Sequence, residues 1–215
     1  MKRLLPTFLI LLFAVQSIGQ KRYCFCDKNK LMNGATVSCD TTFFTNDSFI
    51  YWQYNCDKIW LTLENKGKHK FEIAEVPVDL FNLTYRLGYH LIKEYKSSLL
   101  FRKGCSASGP CTYDLIDKND GKKLRDFGQL ICIDTDSRRT NSHPYNFEFI
   151  VYFETTDNII VEYIDSGQKF KIPFNEKLTD IVPELQFNEM TLVNNRLTLT
   201  YKTDKENKTW TGELK

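Results

Sequence analysis

Phe147-Glu-Phe-Ile-Val-Tyr-Phe-Glu154, then Thr155-Thr-Asp-Asn158, then Ile159-Ile-Val-Glu-Tyr-Ile164: this stretch decides the fold. Two runs rich in aromatic and β-branched residues flank four polar ones, the pattern of strand, turn and strand. In the first run Phe147, Phe149, Val151 and Phe153 share one face, and Ile150 and Tyr152 share the other. A strand that is apolar on both faces needs one layer above it and another below.

The same rhythm runs outward in both directions. Tyr51–Tyr54 and Ile59–Leu63 flank Asn55-Cys56-Asp57. Leu91–Tyr95 and Leu99–Phe101 flank Lys96-Ser97-Ser98. Tyr113–Asp117 and Lys122–Phe127 flank Asn119-Asp120-Gly121, whose Asp-Gly pair suits a tight turn. Met190–Val193 and Leu197–Tyr201 flank Asn194-Asn195. A third strand is expected after Lys66-Gly67, after Ser166-Gly167 and after the Asp204–Lys208 loop. Leu197, Leu199 and Tyr201 alternate with Thr198 and Thr200, which places one face on a core and the other in water.

The rhythm predicts an all-β protein, an antiparallel meander of hairpins in four units around residues 49–76, 89–133, 145–174 and 188–214. Propeller-like blades are favoured over a two-sheet sandwich, because the 147–164 hairpin is apolar on both sides. The units share no signature residues. At most one or two short helices fit, at Asp79–Leu87 before Gly88 and around Leu178–Leu185, where Pro183 interrupts. Both segments read equally as irregular connections.

The first nineteen residues have the layout of a secretory signal. Lys2 and Arg3 are followed by an apolar run to Val15, and Ser17 and Gly19 occupy the small-residue cleavage positions. The run is shorter than the roughly 20 residues of a membrane span. The expectation is a signal peptide at 1–19, a single all-β domain at 20–215, a secreted or periplasmic location and no membrane span after cleavage. Cleavage removes two of the 29 basic residues and no acidic one, so 27 face 27 and the net charge falls to zero. Nucleic acid, which demands a concentrated basic face, is excluded as a partner class. Lys66, Lys68, His69 and Lys70, with Lys58 nearby, read as a solvated turn.

Seven cysteines follow: Cys24, Cys26, Cys39, Cys56, Cys105, Cys111 and Cys132. Export makes disulfides the default. Cys105 and Cys111 close a compact turn and form the best pair; the pairing of the others does not follow from sequence. Cys24-x-Cys26…Cys39 lacks a nearby histidine and reads as structural, so no metal and no cofactor are expected.

Candidate chemistry is thin. Asp134, Asp136, Arg138, Arg139 and His143 fall in the most polar loop, where carboxylates and guanidinium groups can grip ions or simply satisfy one another. An even-length turn at Thr155–Asn158 puts Glu162 on the face of Phe149, Val151 and Phe153, as a desolvated carboxyl fit for acid catalysis; the plainer reading places it near a sheet edge, where it reaches solvent or pairs with a lysine. Gly104-Cys-Ser-Ala-Ser-Gly109 fails the nucleophile-elbow pattern. Asp117-x-Asn119-x-Gly121 resembles part of a calcium loop but is explained by a turn. Asn46, Asn82 and Asn207 head glycosylation sequons.

Three tryptophans, eleven tyrosines and sixteen phenylalanines suggest a recognition surface in which Trp52, Trp60 and Tyr145 lead, with Tyr51, Tyr54, Tyr89 and Trp210 beside them. The favoured function is a binding or interaction module for a protein, glycan or envelope component. One alternative is a secreted glycan hydrolase with two carboxylates drawn from Glu148, Glu154, Glu162, Asp134 and Asp136. The other is an inhibitor or immunity-type protein.

Overall fold

The computed structural model describes residues 24, 39–78, 80, 88–105, 109–131, 148–203 and 206–215. The expected signal peptide, the polar loop from Asp134 to Pro144, and most of the helix expected at 79–87 lie outside the described residues. Among those described, fourteen strands form four antiparallel sheets, and no α-helix is present.

Each sheet is a meander of strands consecutive in the chain. The first comprises β1 (Thr41–Phe43), β2 (Phe49–Tyr54), β3 (Lys58–Glu64) and β4 (Lys70–Pro77). The second comprises β5 (Tyr89–Glu94), β6 (Ser98–Cys105), β7 (Cys111–Asp117) and β8 (Lys123–Phe127). The third holds β9 (Phe149–Thr155), β10 (Asn158–Tyr163) and β11 (Lys169–Pro173); the fourth holds β12 (Phe187–Val193), β13 (Arg196–Lys202) and β14 (Asn207–Glu213). These are the four units that the strand-turn rhythm marks out. Around Pro183 the chain makes only a short 3-10 turn, Pro183–Gln186, since the proline supplies no N–H to a longer helix.

The turns follow their residue types. Asn194 and Asn195 both take positive φ, 50° and 60°, which matches the hairpin turn with two left-handed residues. Gly121 has φ 70° and lies against Phe71, where a Cβ would come within 2.8 Å.

Three cores join successive sheets. Ile50, Leu61 and Leu63 of the first sheet meet Leu99, Phe101 and Ile116 of the second. Leu100, Tyr113, Leu115 and Phe127 on the other face of the second meet Ile150, with Tyr152 beside it, on the third. Phe149, Val151, Ile159, Val161 and Ile172 on the opposite face of the third meet Leu197, Leu199 and Tyr201 of the fourth. The second and third sheets are therefore buried on both faces.

One expectation is corrected. Thr155 pairs with Asn158, but the next pair is Phe153 with Ile159, so Glu154 is an extra residue in the ladder. A bulge of one residue flips the remaining strand to the other face. Glu162 thus pairs with Ile150 and shares the face of Tyr152 and Ile160, not that of Phe149, Val151 and Phe153.

Polar groups also cross the interfaces. Lys118 has no exposed surface. Its ammonium donates to Glu94 Oε1 at 2.5 Å, Thr45 Oγ1 at 3.0 Å and the Tyr95 carbonyl at 3.1 Å. Thr45 lies in the β1–β2 turn, so this cation ties the first sheet to the second. Burial pushes the Glu94 carboxyl up, but the bonds from Lys118 and Thr45 outweigh it and hold the group below its ordinary 4.5.

Two predictions follow from this packing. A Cβ at Gly212 would stand 2.5 Å from Ile172 Cγ2 and from the Trp210 ring. Gly212→Ala is expected to cost about 1–3 kcal/mol, read as a lower urea midpoint, because Ile172 or the Trp210 ring must shift to admit the methyl group. The lowered Glu94 carboxyl adds stability above about pH 4.5, and that contribution is lost as pH falls through the folded-state value. Glu94→Gln should therefore be less stable than the parent at neutral pH, with the gap closing in acid; a gap independent of pH would contradict the pairing.

Candidate functional site

Three hollows are candidates. The largest, about 690 Å³, is lined by Thr179, Asp180, Leu185, Gln186, Asn188, Lys202 and Thr203. No aromatic ring is among these described residues. Its buried amide is already satisfied, since Gln186 accepts from the Thr179 and Asp180 N–H groups and donates to the Lys202 carbonyl. A second, about 330 Å³, lies among Thr45, Lys93, Glu94, Tyr95, Lys96, Glu148 and Asp165. Glu94 is held there by Lys118 and Thr45, and Asp165 accepts from the Lys96 N–H. Its polar groups largely bind one another.

The third is smaller, about 230 Å³, and differs in kind. It is a slot between the first two sheets. Asp40 precedes β1 and Thr42 lies within it, Ile50, Tyr51 and Trp52 come from β2, and Leu61 from β3; Tyr89, His90 and Leu91 of β5 and Phe101 of β6 come from the second sheet. The register explains the convergence. Thr42 pairs with Ile50, and Trp52 pairs with Leu61, so all four share one face of the first sheet. Leu91 pairs with Phe101, which faces them from the second. Leu61 and Phe101 are fully buried and form an apolar floor. Trp52 and Tyr89 are half-buried, and Asp40 and Thr42 are exposed. Apolar rings with a few polar groups at the margin are the ordinary make-up of a small-ligand site.

Tyr89 is held firmly. Its ring stacks on Phe101 with centroids 5.1 Å apart, and its hydroxyl donates a short bond to Asp114 Oδ2. Burial, and then the Asp114 carboxylate, push the Tyr89 hydroxyl far above its ordinary range. Asp114 is itself buried and also takes a bond from Lys103 Nζ at 3.3 Å.

The other expected site residues are scattered. Asp134, Asp136, Arg138, Arg139, His143 and Tyr145 lie outside the described residues, as do Cys26 and Cys132. Trp60 is buried on the opposite face of the first sheet from Trp52, with Lys58 Nζ 5.2 Å from its ring centroid. Trp210 packs against the core between the third and fourth sheets. Glu154 pairs with Lys171 at 2.6 Å. Cys105 and Cys111 are bonded and sit opposite each other on β6 and β7. Cys24 is bonded to Cys39, and Cys56 is also in a disulfide.

Glu162 is interlocked with its neighbours. Its carboxylate takes Arg125 Nη1 at 2.5 Å and the Tyr152 hydroxyl at 2.9 Å, with Lys169 Nζ at 3.6 Å. Arg125 also donates to the Tyr152 hydroxyl and lies over the Phe127 ring, 4.3 Å from its centroid. Burial opposes the Arg125 charge, but Glu162 and Tyr152 more than offset it and raise its pKa above the ordinary value. This cluster spans the second and third sheets and leaves the carboxylate saturated with partners.

Sequence reasoning missed Asp114, Phe101, Lys118 and Arg125. One signal was present: Asp114 interrupts the run Tyr113-Asp-Leu-Ile116, where a lone carboxylate inside an apolar strand must find partners.

No family model matches the chain, and no curated protein does. Among solved structures, the uncharacterized protein lmo1340 from Listeria monocytogenes EGD-e is similar at 12% identity with a TM-score of 0.30. That similarity covers 91% of this chain and 67% of that one. It is too low to carry an argument about fold or function.

The Glu162 cluster yields a prediction. Arg125→Met alone leaves a buried carboxylate short of its main partner and is expected to cost about 3 kcal/mol. Adding Glu162→Leu removes the stranded charge and should recover most of that loss in a urea denaturation series. A double variant as unstable as the sum of the singles would show that the pair is not coupled.

Proposed function

We propose that the chain is an exported binding module whose ligand is a glycan, and that the slot between the first two sheets is its site. The observation that carries this reading is the lining itself. Trp52 and Tyr89 offer aromatic rings, Leu61 and Phe101 an apolar floor, and Asp40 and Thr42 polar groups at the margin. A sugar ring needs this combination, because its C–H face packs on aromatic rings while its hydroxyls bond to polar side chains. Buried apolar surface supplies affinity, and the polar groups fix orientation.

Export rests on the N-terminal signal pattern and on cysteine use. The Cys24–Cys39 and Cys105–Cys111 bridges, with Cys56 also bonded, suit an oxidising compartment. No helix among the described residues is long and apolar enough to cross a membrane. We read the four meanders as blade-like layers stacked in chain order, a reading supported by the three cores between successive sheets.

Calorimetric titration with a panel of neutral and acidic oligosaccharides tests the proposal. At least one is expected to bind, and Trp52→Ala should weaken it by about tenfold or more while circular dichroism stays unchanged. Binding by none of the panel, or equal binding by the variant, would rule the slot out.

A further inference from the structure

We infer that the slot takes a single sugar ring, the terminal residue of a glycan, and does not bind along a chain. The inference rests on the glycan reading of the slot and narrows it. Three observations carry it.

The first is size. At about 230 Å³ the slot lies below the roughly 300–1,000 Å³ of sites that hold drug-sized ligands, so it accommodates about one ring.

The second is rigidity. Leu61 and Phe101 have no freedom to retreat, being fully buried on the inner strands β3 and β6. Tyr89 is stacked on Phe101 and tethered through its hydroxyl to Asp114. Asp114 is only 3% exposed and pairs directly across the sheet with Asp126 of β8. Two carboxylates opposed in this way repel. Lys103 at 3.3 Å offsets the charge of Asp114, and Lys123 at 3.6 Å offsets that of Asp126. The Tyr89 hydroxyl completes the shell of Asp114, so its ring stays where it is and the slot does not widen. Asp114 is thus a positioning residue.

The third is the surroundings. Binding along a chain calls for a row of ring platforms. Phe43 is the sole strongly exposed aromatic among the described residues, and it lies on the other face of the first sheet, against Phe49.

Calorimetry with free glucose, galactose, mannose and N-acetylglucosamine, and with short oligomers ending in each, tests the inference on the full mature chain. For the sugar that binds, the monosaccharide Kd should lie within about threefold of the oligomer Kd. Affinity that rises about tenfold or more with chain length, and is lost in Trp52→Ala, would overturn the single-ring inference while leaving the glycan reading intact. Absence of binding by any of these sugars and oligomers would overturn both.

The positioning role has its own readout. Tyr89→Phe keeps the ring but loses the tether; it lowers the thermal midpoint by stripping a partner from the buried Asp114, and at a temperature where circular dichroism shows the variant folded it should weaken binding by about fivefold. Parent-like affinity in Tyr89→Phe would show that the tether does not set the wall.

Discussion

Strands β9 and β10 carry Phe149, Val151, Ile159 and Val161 on one face, and Ile150, Tyr152 and Ile160 on the other. Neither row can be left in water, because burying one such side chain is worth about 1.5–3 kcal/mol. A sheet with two apolar faces is unstable by itself and requires a neighbour on each side. The second sheet meets the same demand, with Leu99 and Phe101 facing one way and Leu100 and Tyr113 the other. Each of these sheets satisfies half of the next one's requirement. Successive meanders therefore stack in chain order.

Apolar faces fix which layers meet but not their lateral register. Directional contacts supply that. Lys118 reaches from the second sheet to Thr45 of the first, and Arg125 reaches from the second to Glu162 and Tyr152 of the third. Between the third and fourth sheets the fit is steric, where Gly212 leaves room for Ile172 and Trp210. A buried ion pair adds little net stability over an apolar substitute, but its hydrogen bonds are satisfied in only one relative placement of the layers. These contacts act as register devices as much as sources of stability.

The fold was largely legible in the sequence because its signals are local. Asn194-Asn195 announced a turn between two strands, and the alternation of Leu197, Leu199 and Tyr201 announced which face is buried. Glu162 shows where legibility stops. Its face depended on one extra residue, Glu154, and a bulge leaves no mark in composition. The slot was legible only in fragments. Trp52 and Tyr89 stood out as aromatics, yet Trp60 stood out equally and faces the other way. Whether two rings from different sheets converge depends on inter-sheet placement, which no short stretch of sequence encodes.

The slot can be understood as an unfinished portion of the first interface. β1 is only three residues long and is the edge of its sheet, as β5 is of the next. Farther into both sheets, Leu63 meets Leu99 and Ile116 and the layers close completely. Toward the edges the covering thins, and Trp52, Tyr89 and Leu91 are left half-buried. A stack optimised only for stability would close this edge with a longer β1 or with small side chains. Instead it places two large rings there and secures one of them with a buried aspartate, Asp114, whose charge needs both Lys103 and a tyrosine hydroxyl to be tolerated. Holding a side chain still at a partly open edge, with a costly buried charge, is a poor way to add stability and an effective way to keep the wall of the slot in shape.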